Sequence, residues 1–220
     1  MHEEAVESLG GTATAFANWV FEKTVPFHQG FDPFTRIELE QKLELGRFMH
    51  AECEQLWPWL RETKAGPFLT SKWELIHADP HSDERSNTFS ATRLSYQGKP
   101  LRCRPDVVFR DRESNRILIV ERKTTKRKEG SIPSEAWPNI RAQLWCYSWI
   151  DDWADAPEVI LVSQFIRRRA EFQNFGRRVV QNRSYPWIYT YSSRPSFLRS
   201  DPAFQGECKK LFSEYGGQIV

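Results

Sequence analysis

The stretch RPDVVFRDRESNRILIVERKTT, Arg104 to Thr125, decides how this chain is read. Its two apolar runs, Val107–Phe109 and Ile117–Val120, carry the β-branched and aromatic residues of buried strands, and the polar run Asp111–Asn115 between them is a turn. The spacing predicts an antiparallel hairpin. Asp106 and Glu121 lie at nearly equal distances from the turn, so the hairpin sets them roughly opposite each other, where cross-strand neighbours are ~5 Å apart. Glu121 and Lys123 are two positions apart and share one face of their strand. Two carboxylates converging beside a lysine suit a hard divalent cation, which takes oxygen ligands. The lysine can hold an attacking water and neutralise a phosphate. The plain alternative is a salt bridge of Asp106 or Glu121 with Arg104, Arg122 or Lys123.

Outward from the hairpin, the period of the apolar residues changes. Upstream, Lys72–Ala78 and Thr88–Tyr96 read as strands around a polar loop, Asp79–Asn87, and QGKP (Gln97–Pro100) is a turn before a strand over Leu101–Arg110. Further upstream, residues 35–62 read as a long helix, with Leu39, Leu43, Phe48, Leu56 and Leu60 at helical spacing and Pro58 breaking its end. Residues 12–24 suit a short amphipathic helix. Downstream, a loop with Gly130 and Pro133 leads to a helix that starts at Ser134 or Asn139 and runs to Trp153, and then to a strand over Glu158–Arg167. Beyond it, Tyr185–Tyr191 suits a strand and Pro202–Tyr215 a closing helix. The expected class is α/β, a central mixed β-sheet flanked by helices. A chain of 220 residues fits one domain with a core over about 35–170, an N-terminal extension at 1–34 and a C-terminal addition at 171–220.

Composition narrows the classes. Hydrophobic residues make up 40% and aromatics 14%, which argues against disorder. The net charge of +2 does not mark the whole chain as a nucleic-acid binder, but the basic residues cluster. One run joins Arg122 and Lys123 to Lys126, Arg127 and Lys128. Another holds Arg167, Arg168, Arg169, Arg177, Arg178 and Arg183, opposed only by Glu171. Such runs can track a phosphate backbone, and their plain alternative is a solvated face. Cys53, Cys103, Cys146 and Cys208 are scattered with no CxxC pair, which argues against a local zinc or iron–sulfur site and fits free thiols in a reducing compartment. The acidic N-terminal residues do not form a signal peptide, and no apolar run is long enough to span a membrane. The expected location is cytoplasmic.

Three separated motifs then coincide. Pro105–Asp106 followed by Glu121–Arg122–Lys123 matches the PD-(D/E)xK pattern. AQLWCYSW supplies Gln143 and Tyr147, a Q-x-x-x-Y whose two side chains share a helix face. LGRFMHAEC supplies Gly46 and His50, a G-x-x-x-H on the inward stripe Leu39, Leu43, Gly46, His50, Cys53, Trp57 of the long helix. In order and in underlying secondary structure, over about residues 40–165, the chain resembles the PD-(D/E)xK nucleases of the RecB-type, lambda-exonuclease-like branch. The resemblance implies a restriction-endonuclease-like αβββαβ core.

It also implies roles. Asp106 and Glu121 would be metal ligands, joined by His50 and the backbone carbonyl of Arg122, with Glu54 as the fallback for His50. Lys123 would orient the nucleophilic water. Gln143 and Tyr147 would support the lysine or the DNA backbone. The cofactor would be one or two Mg²⁺ or Mn²⁺ ions. Cys208 stands alone on the C-terminal side, so the iron–sulfur cluster of some relatives is not expected. No G-x-x-x-x-G-K-[ST] motif is present, so the usual nucleotide-binding loop is excluded. The implied activity is metal-dependent hydrolysis of DNA without sequence specificity, on single strands, ends or branches. Lys126, Arg127, Lys128, Arg167, Arg168 and Arg169 would hold the backbone. A helicase, or a recombination or defence protein, would be a separate partner, and self-association is left open. The rival reading is a catalytically weak nuclease fold kept as a module that binds nucleic acid or protein. Without the resemblance, Gln143, Tyr147 and the tryptophans Trp137, Trp145, Trp149 and Trp153 would read as packing.

Overall fold

The computed structural model describes residues 11–24, 73–79, 88–125, 133–169, 188–193 and 197–220. The long helix expected over 35–62 lies outside them. The first described helix, α1 (Ala13–Thr24), opens with the Thr12 hydroxyl accepting from the Ala15 amide at 3.0 Å. It buries Ala13, Phe16, Ala17 and Val20, one helical stripe.

The large sheet runs in the order β1 (Trp73–Ala78), β4 (Val107–Asp111), β5 (Ile117–Thr125), β6 (Val159–Arg169) and β7 (Ile188–Ser193), with the short β8 (Phe197–Leu198) also on β6. It is mixed. β5 and β6 are parallel, and the other pairings are antiparallel. The parallel pair requires a crossover, and α2 (Pro138–Tyr147) lies in it. A second sheet pairs β2 (Phe89–Tyr96) with β3 (Lys99–Cys103) on one side and β9 (Gly217–Ile219) on the other. The last described helix, α3 (Pro202–Glu214), starts on Asp201, whose carboxylate accepts from the Ala203 amide at 2.9 Å. The chain is thus a mixed sheet flanked by helices. None of the described helices is long and apolar enough to cross a membrane.

Strand alternation sorts the large sheet into two faces. Val108, Ile117, Ile119, Val159, Leu161 and Phe165 join the main cluster with α1, α2, α3 and the small sheet. Val107, Phe109, Leu118, Ile160 and Val162 form a second cluster with Trp73 on the other face. Phe16 of α1 meets Phe212 of α3 edge-on at 5.1 Å, and Phe212 lies 5.4 Å from Trp145 of α2. The stretches read as terminal extension and addition therefore share the core of the central sheet. Trp145 and Trp153 are buried, and Trp137 and Trp149 pack against the same cluster. Cys103, Cys146 and Cys208 are buried free thiols.

Two elements differ from expectation. The strand expected over Leu101–Arg110 is two strands in two sheets, β3 and β4, interrupted at Arg104–Pro105–Asp106. Pro105 has no amide hydrogen for a ladder and restricts the residue before it. The helix expected to reach Trp153 ends at Tyr147 and resumes as a 3₁₀ turn over Asp151–Trp153. Its end is fixed by tertiary partners, because the Trp153 indole donates to the Tyr147 carbonyl at 2.8 Å. Arg199 donates to the carbonyls of Ala154 at 3.0 Å and Ala156 at 2.6 Å just beyond.

Candidate metal centre

The hairpin register runs from Arg110 opposite Ile117 to Val107 opposite Val120, and one further step sets Asp106 across from Glu121. The sequence spacing gave the same juxtaposition. Asp111 ties the turn. Its carboxylate accepts from the Glu113 amide at 3.0 Å, the Ser114 hydroxyl at 2.6 Å and Arg116 at 3.1 Å. These donors hold the Asp111 carboxyl well below the usual range, the Ser114 hydroxyl foremost.

At the other end of the hairpin, Asp106 and Glu121 are both buried, 8% and 2% exposed. The Arg122 amide donates to Asp106 Oδ2 at 2.6 Å. Lys123 donates to Glu121 Oε1, so the plain ion pair is present as well. The second oxygen, Glu121 Oε2, has no hydrogen-bond partner among the described residues. Burial, and then the Asp106 carboxylate, push the Glu121 carboxyl up to about 8, although Lys123 opposes the shift. Burial alone would lower the Lys123 ammonium, but the Glu121 and Asp106 carboxylates outweigh it and the lysine is raised. Lys123 is therefore a fixed cation, and the two carboxylates outnumber it once Glu121 gives up its proton.

α2 approaches this point through its motif residues. Lys123 Nζ donates to the Gln143 side-chain oxygen at 3.1 Å, Gln143 Nε2 donates to the Tyr147 hydroxyl at 2.6 Å, and that hydroxyl donates to the Arg104 carbonyl at 2.9 Å. The four-residue spacing that put Gln143 and Tyr147 on one face produces this chain of donors. Burial raises the Tyr147 phenol well above its ordinary range, with Glu121 and Asp106 adding to the shift, so the hydroxyl stays protonated and able to donate.

Asp106, Glu121, Arg122, Lys123, Gln143 and Tyr147 thus meet. His50, its fallback Glu54, and Lys126, Arg127 and Lys128 lie outside the described residues. Arg167, Arg168 and Arg169 are the last three residues of β6, whose backbone continues past the site because Lys123 pairs with Phe165 and Thr125 with Arg167. Among the described residues, no group of three or more His, Cys, Asp or Glu side chains is gathered as a metal cage. The described donors are the Asp106 and Glu121 carboxylates, one oxygen of the latter being the orphaned Oε2, and these hard oxygen groups fit Mg²⁺ or Mn²⁺.

Sequence reasoning missed Asp79 and His77. Asp79 reads as the first residue of a polar loop, yet its carboxylate is buried in a bidentate pair with Arg104 at 2.6 and 2.9 Å. His77 approaches the Pro105 carbonyl through Nε2 at 3.1 Å. The β1–β4 register shifts between Leu75 and His77, a bulge that re-aims this histidine. No local pattern announces either residue.

No protein-family model matches the chain, and no curated protein matches it. Among solved structures, the chain is similar to the crystal structure of SSO0001, with 16% identity and a TM-score of 0.35. The match covers 80% of this chain and 59% of that one, so the chain spans less than two thirds of its neighbour's length.

Proposed function

We propose that this chain is a metal-dependent deoxyribonuclease of the PD-(D/E)xK type, built on a restriction-endonuclease-like core of β1, β4, β5, α2 and β6. The observation that carries the reading is the meeting of the buried Asp106 and Glu121 with the half-buried Lys123, the lysine steadied by Gln143. When Glu121 gives up its proton, two buried carboxylates stand beside one lysine, and a divalent cation would offset the excess negative charge.

Asp106, Glu121 through Oε2, the Arg122 carbonyl and His50 would hold one or two Mg²⁺ or Mn²⁺ ions. Bound there, the metal supplies charge stabilisation at the phosphate and a more acidic water. The chain's own residues do the rest. Lys123, kept cationic by Glu121 and Asp106, donates to the attacking water and to the developing phosphate charge. Gln143 fixes the ammonium by accepting one of its hydrogens, and Tyr147 fixes Gln143. Arg167, Arg168 and Arg169, on the strand that continues past Lys123, and Lys126, Arg127 and Lys128 after β5 bind the DNA backbone without reading bases. The substrates are DNA ends, single strands or branches, and the partner is a helicase or a recombination or defence protein.

The test is cleavage of linear, nicked and circular DNA with Mg²⁺, Mn²⁺ or EDTA. The reading expects metal-dependent cleavage that is lost in Asp106→Ala and Lys123→Ala. Binding without cleavage under every metal contradicts it and favours a nucleic-acid-binding module.

A further inference from the structure

We propose that the ion pair of the buried Asp79 with the half-buried Arg104 is a positioning device for Asp106, clamping the segment Arg104–Pro105–Asp106 so that the aspartate faces Glu121. The inference deepens the metal-site reading above and rests on it.

The segment bridges two sheets. β3 ends at Cys103 in the small sheet, and β4 begins at Val107 in the large one. Neither ladder holds the residues between. Instead, each of three successive carbonyls meets a different group. Tyr147 donates to Arg104 O at 2.9 Å, His77 Nε2 approaches Pro105 O at 3.1 Å, and the Asp79 amide donates to Asp106 O at 2.8 Å. Asp79 acts twice. Its amide holds Asp106, and its carboxylate takes both prongs of the Arg104 guanidinium at 2.6 and 2.9 Å. One residue at the end of β1 therefore grips the segment at both ends.

The chemistry of the pair suits positioning. The Asp79 side chain is 3% exposed, so its charge must be paired. A bidentate fork fixes direction as well as charge. An ion pair with one partner half in solvent contributes little net stability, and a specified geometry is the better account of it. The geometry specified here is that of Asp106, whose Oδ2 accepts the Arg122 amide from β5. Metal sites lose affinity when groups that orient their ligands are changed.

Two variants test the clamp. Arg104→Lys keeps the charge and loses the fork. The double variant Asp79→Asn with Arg104→Gln removes both charges together, so no lone charge is buried and folding is protected. Two readouts apply. Mn²⁺ affinity is followed by the paramagnetic resonance of free Mn²⁺, and exchange of the Arg122 amide is followed in metal-free protein against the Leu161 amide of β6. The clamp predicts Mn²⁺ affinity about 10–100-fold lower in the double variant, with a smaller loss in Arg104→Lys. It predicts faster Arg122 exchange at unchanged Leu161 exchange. Mn²⁺ affinity and Arg122 exchange both within about two-fold of wild type in the two variants overturn it. If the wild type binds no Mn²⁺, the cation reading falls, and Arg122 exchange alone then decides the clamp.

Discussion

Lys123 of β5 is held by Gln143 of α2, through a 3.1 Å hydrogen bond to the side-chain oxygen. Gln143 is held in turn by Tyr147, and Tyr147 by the backbone that leads into Asp106. The lysine and the Arg104 carbonyl, two residues before the aspartate, are therefore the two ends of one chain of donors and acceptors. Such a chain is rigid while every member is satisfied and costly when one is removed.

Gln143→Ala breaks the chain at its centre. Among the described residues Lys123 then keeps Glu121 alone, and the Tyr147 hydroxyl loses a donor. Stability should fall by about 1–3 kcal/mol, read from urea unfolding. Cleavage should fall about ten-fold or more in kcat, with KM for DNA little changed, because the lysine acts on the reacting water. A stable Gln143→Ala protein with wild-type kcat would show that the glutamine does not serve the lysine.

The raised carboxyl of Glu121 gives a pH signature. Its folded value is about 8 against an ordinary 4.5, with burial the first cause and Asp106 the second. A carboxyl raised on folding binds its proton more tightly in the native state. Its contribution to stability is complete below the ordinary value and is lost as pH rises through the folded value. Metal-free protein should therefore lose stability between about pH 4.5 and 8, by no more than about 1.4 kcal/mol per pH unit from this group. Mn²⁺ affinity should rise over the same range, because the cation displaces that proton. Thermal melts in EDTA and in Mn²⁺ across this range test both, and a metal-free stability that rises from pH 6 to 8 would contradict the assignment.

Glu121→Gln separates stability from function. The amide keeps the shape of the side chain and removes a buried negative charge. At pH 8 and above in EDTA, the variant should melt higher than wild type, while Mn²⁺ binding and cleavage are lost. A lower melting temperature under these conditions would mean that the Lys123 pair outweighs the cost of burying Glu121.

Away from the site, Gly217 of β9 has no room for a side chain. A Cβ there would overlap the Phe212 ring, which is fully buried against Phe16 and Trp145. Gly217→Ala should cost about 1–3 kcal/mol, a melting temperature lower by several degrees, with Mn²⁺ affinity unchanged. Unchanged melting would mean that β9 detaches from the core at little cost.

What could be read from the sequence was local. The hairpin from β4 to β5 was legible because its turn residues bind one another and its apolar runs are short and unbroken. Asp106, Glu121 and Lys123 follow from that hairpin, whereas Gln143 and Tyr147 were singled out by the family resemblance, without which their helical spacing reads as packing. The end of α2 was not legible, because Trp153 and Arg199 fix it from outside the helix. β8 and β9 are two and three residues long, too short to show a period. Asp79 sits at the head of a polar run and became a buried partner only when β1 paired with β4 beside Arg104.

The most direct measurement is anomalous scattering from a crystal of this protein soaked in Mn²⁺. The account predicts a peak between Asp106 and Glu121, on the side of Oε2 and within about 2.0–2.4 Å of a carboxylate oxygen from each. A well-diffracting crystal at neutral pH or above with no peak there, and Lys123 still bound to Glu121, would contradict it and leave the salt bridge as the account of this hairpin.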